Sequence, residues 1–500
     1  MTVQSTGSDP AADTWPEGSR LTERDAATTW DLLVVGGGTA GLVGAQTAAL
    51  LGARVLLVER DRTGGECLWS GCVPSKALLA AASAAADARR ASRLGVHAEV
   101  SVDFPAVMAH VRRAIADIAP VDAPQALEAA GVRAVRGTVV LTGATTAAVD
   151  GREVRFARAL LATGSRPAPL PLPGVDRVAP LTADDVWDLE ELPSRLVVLG
   201  GGTTGTELAQ ALARLGAQVT VVEAGEHLLP REDADAAAVV TAALRADGVD
   251  VRTGVRAASV RPGSSGAGVL VLEDGDELAF ARLLLAGPRR PVLDGLGLAA
   301  AGVEVDADGR LVLEPGLRTT SPSVWAAGDV TGEDLYTHTA GVRGSDAAVT
   351  AVLGLPRRPS PVVPRVTFTD TELAAVGEPT TGDAPGRRVL HLAHDHVDRA
   401  VADGRTEGFT RLVVDRRGRV RGATVVGPRA GEVLAELTAA VLDGTTTSAL
   451  VARTHPYPTY GDGPWNAAIA DYRARLGSPV VRALTRTVVT ARRWRRARSA

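Results

Sequence analysis

The sequence predicts an α/β chain in three parts: two Rossmann-like units of one design, then a C-terminal α+β domain. A repeat carries the first half of that expectation. Asp31-Leu-Leu-Val-Val35 is a short apolar strand, followed by Gly36-Gly-Gly-Thr-Ala-Gly41, a helical run of small residues to Leu51, and the strand Arg54-Val-Leu-Leu-Val-Glu59. The same order returns 164 positions later, from Leu196 through Gly200-Gly-Gly-Thr-Thr-Gly205 to Gln218-Val-Thr-Val-Val-Glu223. Gly36, Thr39, Gly41, Gln46, Gly52, Ala53 and Glu59 recur as Gly200, Thr203, Gly205, Gln210, Gly216, Ala217 and Glu223. A fixed offset over a whole unit signals two copies of one fold. The second observation is the Pro-rich stretch Pro356 to Pro364, after which the pattern changes. The 500 residues accommodate three domains at about 150 residues each.

Taken in order, residues 1–29 are rich in Ser, Thr, Asp, Pro and Gly and read as a disordered tail. After the first repeat, short β segments are expected at Val132 to Thr142, Gly268 to Leu272 and Ala281 to Ala286, and a strand, turn and strand over 311–329. Beyond the Pro-rich boundary, Arg365 to Phe368 and Gly408 to Val426 suggest strands, and Gly431 to Asp443 and Pro464 to Leu476 suggest helices. From Arg473 on there are nine arginines and no acid; Leu476, Val480, Leu484 and Val488 recur every fourth position, as in a basic amphipathic helix. A solvated tail and a surface for a membrane face or an acidic partner are both open readings of it.

Composition removes several classes. Apolar residues at 45% and charged ones at 22% suit a folded soluble protein. A net charge of −4 argues against a nucleic-acid binder. No run reaches the ~18 apolar residues of a spanning helix. The N-terminus lacks a basic region followed by an apolar core, so a cytoplasmic protein is expected, with docking on the inner membrane face as one role for the tail.

A glycine turn between strand and helix suits a dinucleotide. The first glycine takes the tight turn, the second lets the backbone approach the pyrophosphate, and the third lets helix and strand pack closely. Helix N–H groups then face the phosphates, and an acid at the next strand end accepts ribose hydroxyl bonds. The candidates are Gly36, Gly38, Gly41 and Glu59 in the first copy and Gly200, Gly202, Gly205 and Glu223 in the second. Two copies imply two nucleotides. Glu223 would hold a free 2′-hydroxyl and repel a 2′-phosphate, which favours NADH over NADPH; Arg231 nearby works the other way.

Only two cysteines exist, Cys67 and Cys72, and a single lysine, Lys76, among 54 basic residues. All three lie in Gly64-Gly-Glu-Cys67-Leu-Trp-Ser-Gly-Cys72-Val-Pro-Ser-Lys76. A lone cysteine pair in a cytosolic chain points to redox or metal chemistry. Zinc lacks two further ligands nearby, so no metal is expected. Five residues of regular helix separate Cα atoms by roughly 8 Å, beyond the ~7 Å limit of a disulfide. A bond therefore needs a distorted turn, which Gly71 allows. A regular helix can start near Pro74, and cysteines at a helix start gain thiolate character.

Those motifs resemble the class I pyridine nucleotide-disulfide oxidoreductases, the flavoproteins that include dihydrolipoamide dehydrogenase, glutathione reductase and mercuric reductase. The likeness runs from about residue 30 to 475. Gly65 to Lys76 is its most specific part. Ala162-Thr-Gly-Ser-Arg166-Pro, with Thr163 and Gly164, resembles the link out of a flavin domain. Val324-Trp-Ala-Ala-Gly328-Asp329 resembles the second flavin motif, whose aspartate binds the ribityl chain, and Arg365 to Gly377 resembles the start of a dimerisation domain. The resemblance implies an FAD-binding domain over 30–165 and 288–358, an NAD(P)-binding domain over 166–287, dimerisation through 359–475, and a basic tail over 476–500. It also implies a homodimer. NAD(P)H would give hydride to the flavin, which would reduce a Cys67–Cys72 disulfide. Cys72 would be the charge-transfer thiolate against the flavin and Cys67 the interchange thiol. Lys76 would lie near the flavin, paired with Glu207. A compact ammonium fits there where a guanidinium does not.

Two departures stand out. The family's disulfide reducers carry His-Pro-His-Pro-Thr followed by Glu, the second histidine being the acid–base. Here the stretch is His455-Pro-Tyr457-Pro-Thr459-Tyr-Gly-Asp462, with Tyr457 at the base position and Asp462 as its expected orienter. A phenol of ordinary pKa near 10 is a poor base at neutral pH. Tyr457 matches mercuric reductase, but that enzyme's C-terminal cysteine pair is missing. The second departure is Pro288 in Ala286-Gly-Pro288-Arg-Arg-Pro291, where glycine is usual. The acceptor expected is one that needs little thiol protonation, such as a quinone or a metal ion. A specific disulfide and a redox-responsive docking protein are the alternatives.

Overall fold

A computed structural model describes residues 15–16, 18–381 and 385–499. The chain forms two compact units. One runs to Gly200 and takes in Arg214–Ala217 and Ala257–Pro361; the other holds Gly201–Ala213, Gln218–Arg256 and the residues from Val362 on.

In the first unit the apolar runs become central strands. Leu32 to Val35 and Val55 to Val58 are buried without a break, as parallel strands covered on both faces are. Consecutive residues feed opposite layers: Leu33, Val35 and Leu56 join one core with Phe156, and Leu32, Val34 and Leu57 join the other with Ala45 and Ala48. The sheet order is Val132–Arg136, Val55–Glu59, Thr29–Val35, Arg152–Leu161, Thr146–Val149, Val139–Gly143. Val324–Ala326 joins it parallel to the end of Arg152–Leu161, pairing Ala326 with Leu161.

The small residues of the helix Thr39–Leu50 have a packing reason. It crosses the helix Thr337–Leu353 so closely that a Cβ on Gly344 would lie 2.3 Å from the Ala40 carbonyl oxygen. Arg289–Pro291 pairs antiparallel with Ser165–Pro167, so the segment containing Pro288 and the Thr163–Gly164 link lie side by side.

The second unit holds Gln218–Glu223 parallel to Asp250–Thr253, and a five-stranded antiparallel sheet in the order Arg365–Thr367, Glu372–Gly377, Val420–Gly427, Phe409–Val414, Arg388–Ala393. The helices Ala430–Leu442 and Asp462–Leu476 cover one face through Leu434, Leu437, Ala467 and Ala468.

Several expectations change. The stretch 408–426 is two strands joined at a turn, and 132–142 likewise divides between Val132–Arg136 and Val139–Gly143. Only Val324–Ala326 within 311–329 is a strand; Leu311 and Leu313 make isolated bridges to Val305 and Thr319. Of the tail expected over 1–29, residues 1–14 and 17 lie outside the described residues. The rest is ordered: Glu23–Ala27 is a helix with a Thr22–Asp25 capping box, and Arg133 pairs with Asp25 at 3.1 Å. Such a cap contributes about 1 kcal/mol.

Candidate active site

The two glycine turns are wired alike. Gly36 and Gly200 have φ of +108° and +116°, and a Cβ at either would lie 2.4 and 2.5 Å from the carbonyl oxygens of Ala162 and Ala286. Glu59 accepts from the Gly37 and Asp61 N–H groups at 2.7 Å each. Glu223 accepts from Gly201 at 2.7 Å and Gly225 at 2.6 Å. Each acid thus clamps its own turn, and the remaining carboxylate lone pairs stay open to a hydroxyl donor.

The first turn fits a flavin nucleotide. Gly38 precedes the helix Thr39–Leu50 with no side-chain cap, so the first N–H groups are open to a phosphate. Any Cβ on Gly65 would strike Gly38 at 2.6 Å, and one on Gly41 would strike the Gly36 oxygen at 1.9 Å. Gly328, at φ +79°, brings the Asp329 loop against Ala40. Asp329 accepts from the Ser165 hydroxyl at 2.8 Å, while Thr163 bonds the Val292 carbonyl at 2.7 Å and Gly164 accepts from the Val292 N–H at 3.0 Å.

The cysteine motif folds as a broken helix. Gly65–Trp69 ends at Ser70, and a second helix, Cys72–Arg90, begins at Cys72 itself, two residues before the start expected at Pro74. The break is at Gly71, whose Cβ would lie 2.9 Å from the Glu66 carbonyl oxygen. The two cysteine side chains are hydrogen-bonded to each other, and Cys72 Sγ lies 3.3 Å from the Thr337 hydroxyl. That bond to Cys72, and then burial, push the Cys67 thiol far up. Cys67 therefore holds its proton more tightly than an ordinary thiol, while Cys72 opens the second helix. Lys76 lies one turn on and donates to Ser75 at 3.3 Å.

Sequence reasoning missed the charged groups around this motif. Arg289 reaches Glu66 at 2.6 Å and Asp184 at 3.5 Å, and its Nε donates to Ser165 at 3.0 Å. Ser165 in turn donates to Asp329, so hydrogen bonds run from the cysteine helix to the second glycine-aspartate motif. Burial raises Glu66 to about 7; Arg289 pulls it down, but Asp329, Asp184 and Cys72 push it up again.

The C-terminal motif differs from expectation. Tyr457 is exposed (68%) and donates to Asp398 at 2.6 Å, not to Asp462. Asp398, 59 positions away, gave no sequence signal. Its hydrogen bond and charge raise the phenol further above its usual value. Asp462, nearly buried, accepts instead from the Thr459 N–H at 3.2 Å. His455 bonds Glu436 at 2.9 Å and the Arg453 carbonyl at 3.1 Å and packs on Trp465, which suits a structural role. Glu207 accepts from the Phe368 N–H at 2.8 Å; its pairing with Lys76 stays an expectation of the resemblance.

Residues 30–352 match the family described as pyridine nucleotide-disulphide oxidoreductase, and residues 363–468 match its dimerisation domain. The chain belongs to this family. It is an FAD-dependent oxidoreductase acting with NAD(P)H, and its dimerisation domain supports a homodimer. Among family members, a mercuric reductase of Streptomyces lividans is 36% identical over 455 residues, covering 87% of this chain and 95% of that one. A dihydrolipoyl dehydrogenase of Thermus scotoductus is 35% identical over 467 residues, covering 90% and 98%. The crystal structure of LpdA from Mycobacterium tuberculosis superposes with a TM-score of 0.80 at 31% identity, covering 88% and 99%.

Proposed function

We propose that this enzyme passes electrons from NADH through a Cys67–Cys72 dithiol to an acceptor that needs no imidazole base, a quinone or a metal ion. The observation that carries the reading is the Tyr457–Asp398 bond. A phenol whose proton is held by a carboxylate cannot take one from Cys67 at neutral pH. Bound flavin supplies the two-electron relay between nicotinamide and sulfur. The protein supplies the sulfur pair, the glycine turns that seat the phosphates, and the Glu66–Arg289–Ser165–Asp329 connection beside them.

As the S–S bond forms, the two thiols lose two electrons and two protons. A quinone takes up both, becoming a hydroquinone. A metal ion takes the electrons and leaves the protons to solvent. With only two cysteines in the chain, a handover of mercury from one thiol pair to another, as the resemblance to mercuric reductase would imply, lacks a second pair. Reduction of one specific disulfide is the other reading, with Glu66, which precedes Cys67 and is raised to about 7, as the acid–base group. The test is turnover with NADH against oxidised glutathione, lipoamide and a quinone. Quinone reduction should dominate, and efficient turnover of glutathione or lipoamide rejects the proposal. The exposed helix Pro479–Ser499 is read as a docking element for an acidic surface.

A further inference from the structure

The last helix is 21 residues long, about 30 Å. It carries seven arginines and no acid. At ~100° per residue, Val480, Leu484, Thr487, Val488, Ala491 and Trp494 fall within roughly 120° of arc. Arg482, Arg486, Arg492, Arg493 and Arg496 lie on the opposite side, with Val489 among them. Arg495 and Arg498 return to the apolar arc in the last turn, where Arg498 covers the Trp494 ring at 4.1 Å. The apolar arc is uncovered: Val480 is 79% exposed, Leu484 65% and Trp494 59%. No helix among the described residues is long and apolar enough to cross a membrane.

We propose that this helix lies on an anionic lipid bilayer, with Val480, Leu484, Val488 and Trp494 in the interface and the arginines on lipid phosphates. The inference deepens the docking role given to the tail and does not depend on the acceptor. A second copy of the helix offers no acid to the seven arginines, whereas an anionic surface does. Lipid is favoured over an acidic protein by the kind of recognition on offer. The Thr485 and Thr487 hydroxyls are turned onto the helix's own Val481 and Ala483 carbonyls at 3.0 Å, so arginine is the main polar readout. Long flexible cations beside an apolar stripe with a tryptophan at its edge match the bilayer interface, where headgroups rearrange to meet them.

The holoenzyme is sedimented with phosphatidylcholine vesicles, with and without phosphatidylglycerol, in the absence of NADH and acceptor. The proposal expects at least about tenfold greater binding with phosphatidylglycerol, reversed by high salt. A chain ending at Gly477 should stay in the supernatant yet remain yellow and reduce ferricyanide with NADH. Leu484→Asp with Val488→Asp should also release the protein while keeping every arginine. The full chain staying in solution would overturn the proposal. Undiminished vesicle binding by the double aspartate variant would show that the apolar arc is not in the interface, and capture by polyglutamate but not by vesicles would assign the helix to an acidic partner; either result overturns the proposal. Loss of the acceptor assignment would leave all these outcomes unchanged.

Discussion

Tyr457 shows how one residue changes what a site can do. Its proton is already engaged by Asp398, and that partner raises rather than lowers its pKa. Tyr457→His places an imidazole there, and turnover with lipoamide or glutathione should rise by about tenfold or more; no gain would mean that position 457 does not face the interchange thiol. Glu66 is the second such residue. Its charge opposes that of an ionised Cys72. Glu66→Gln removes the negative charge and frees Arg289, and both effects favour the thiolate. The pH midpoint of the Cys72 charge-transfer absorbance should therefore move down; a midpoint that stays or rises contradicts the coupling. The cysteines, the lysine and the missing histidine could be read directly, because each is a departure within one short segment. Asp398, Arg289 and Thr337 could not, since each acts on a residue 59 to 265 positions away and nothing local distinguishes it from other surface polar residues.

At the scale of elements, the glycines decide. Both nucleotide turns could be found from sequence because they need glycine for stated steric reasons and occur twice. The break after Trp69 was only half legible: Gly71 signalled distortion, but its cause is the close pass of the Glu66 carbonyl, which depends on the fold. The small residues of the helix Thr39–Leu50 could be seen in sequence without a reason for them; its partner helix supplies that reason. Gly344→Ala would set a Cβ 2.3 Å from the Ala40 oxygen. It should cost about 1–3 kcal/mol and move the helix that opens the first turn. The expected outcome is a lower midpoint in chemical denaturation and a preparation with less bound flavin; full stability and full colour would show that the crossing is slack.

For the whole molecule, order was more legible than boundaries. The repeat gave the order of the elements, whereas the turns that divide 408–426 and 132–142, at Asp415-Arg-Arg-Gly418 and Gly137-Thr138, are too short for hydrophobic pattern alone to fix where each strand ends. Stability should carry a signature of Glu372 in the dimerisation domain. Burial raises it to about 7, the Gly431 N–H pulls it down, and Glu432 and Asp370 push it up again. A raised carboxyl favours the fold when protonated, so its contribution is complete below its ordinary pKa of 4.5 and is lost as pH rises through about 7. Glu372→Gln should gain on the native chain by about 1 kcal/mol between pH 5 and pH 8. Melting curves at the two pH values check this, and a gain toward acid would reverse the sign.

The most direct test of the account is an anaerobic titration of the purified yellow enzyme with NADH, followed at long wavelength. A charge-transfer band should grow as the sulfur pair is reduced, vanish in Cys72→Ser, and be present already in oxidised Cys67→Ser. A native enzyme that bleaches without any such band, or a Cys72→Ser variant that keeps it, would contradict the assignment of Cys72 beside the flavin.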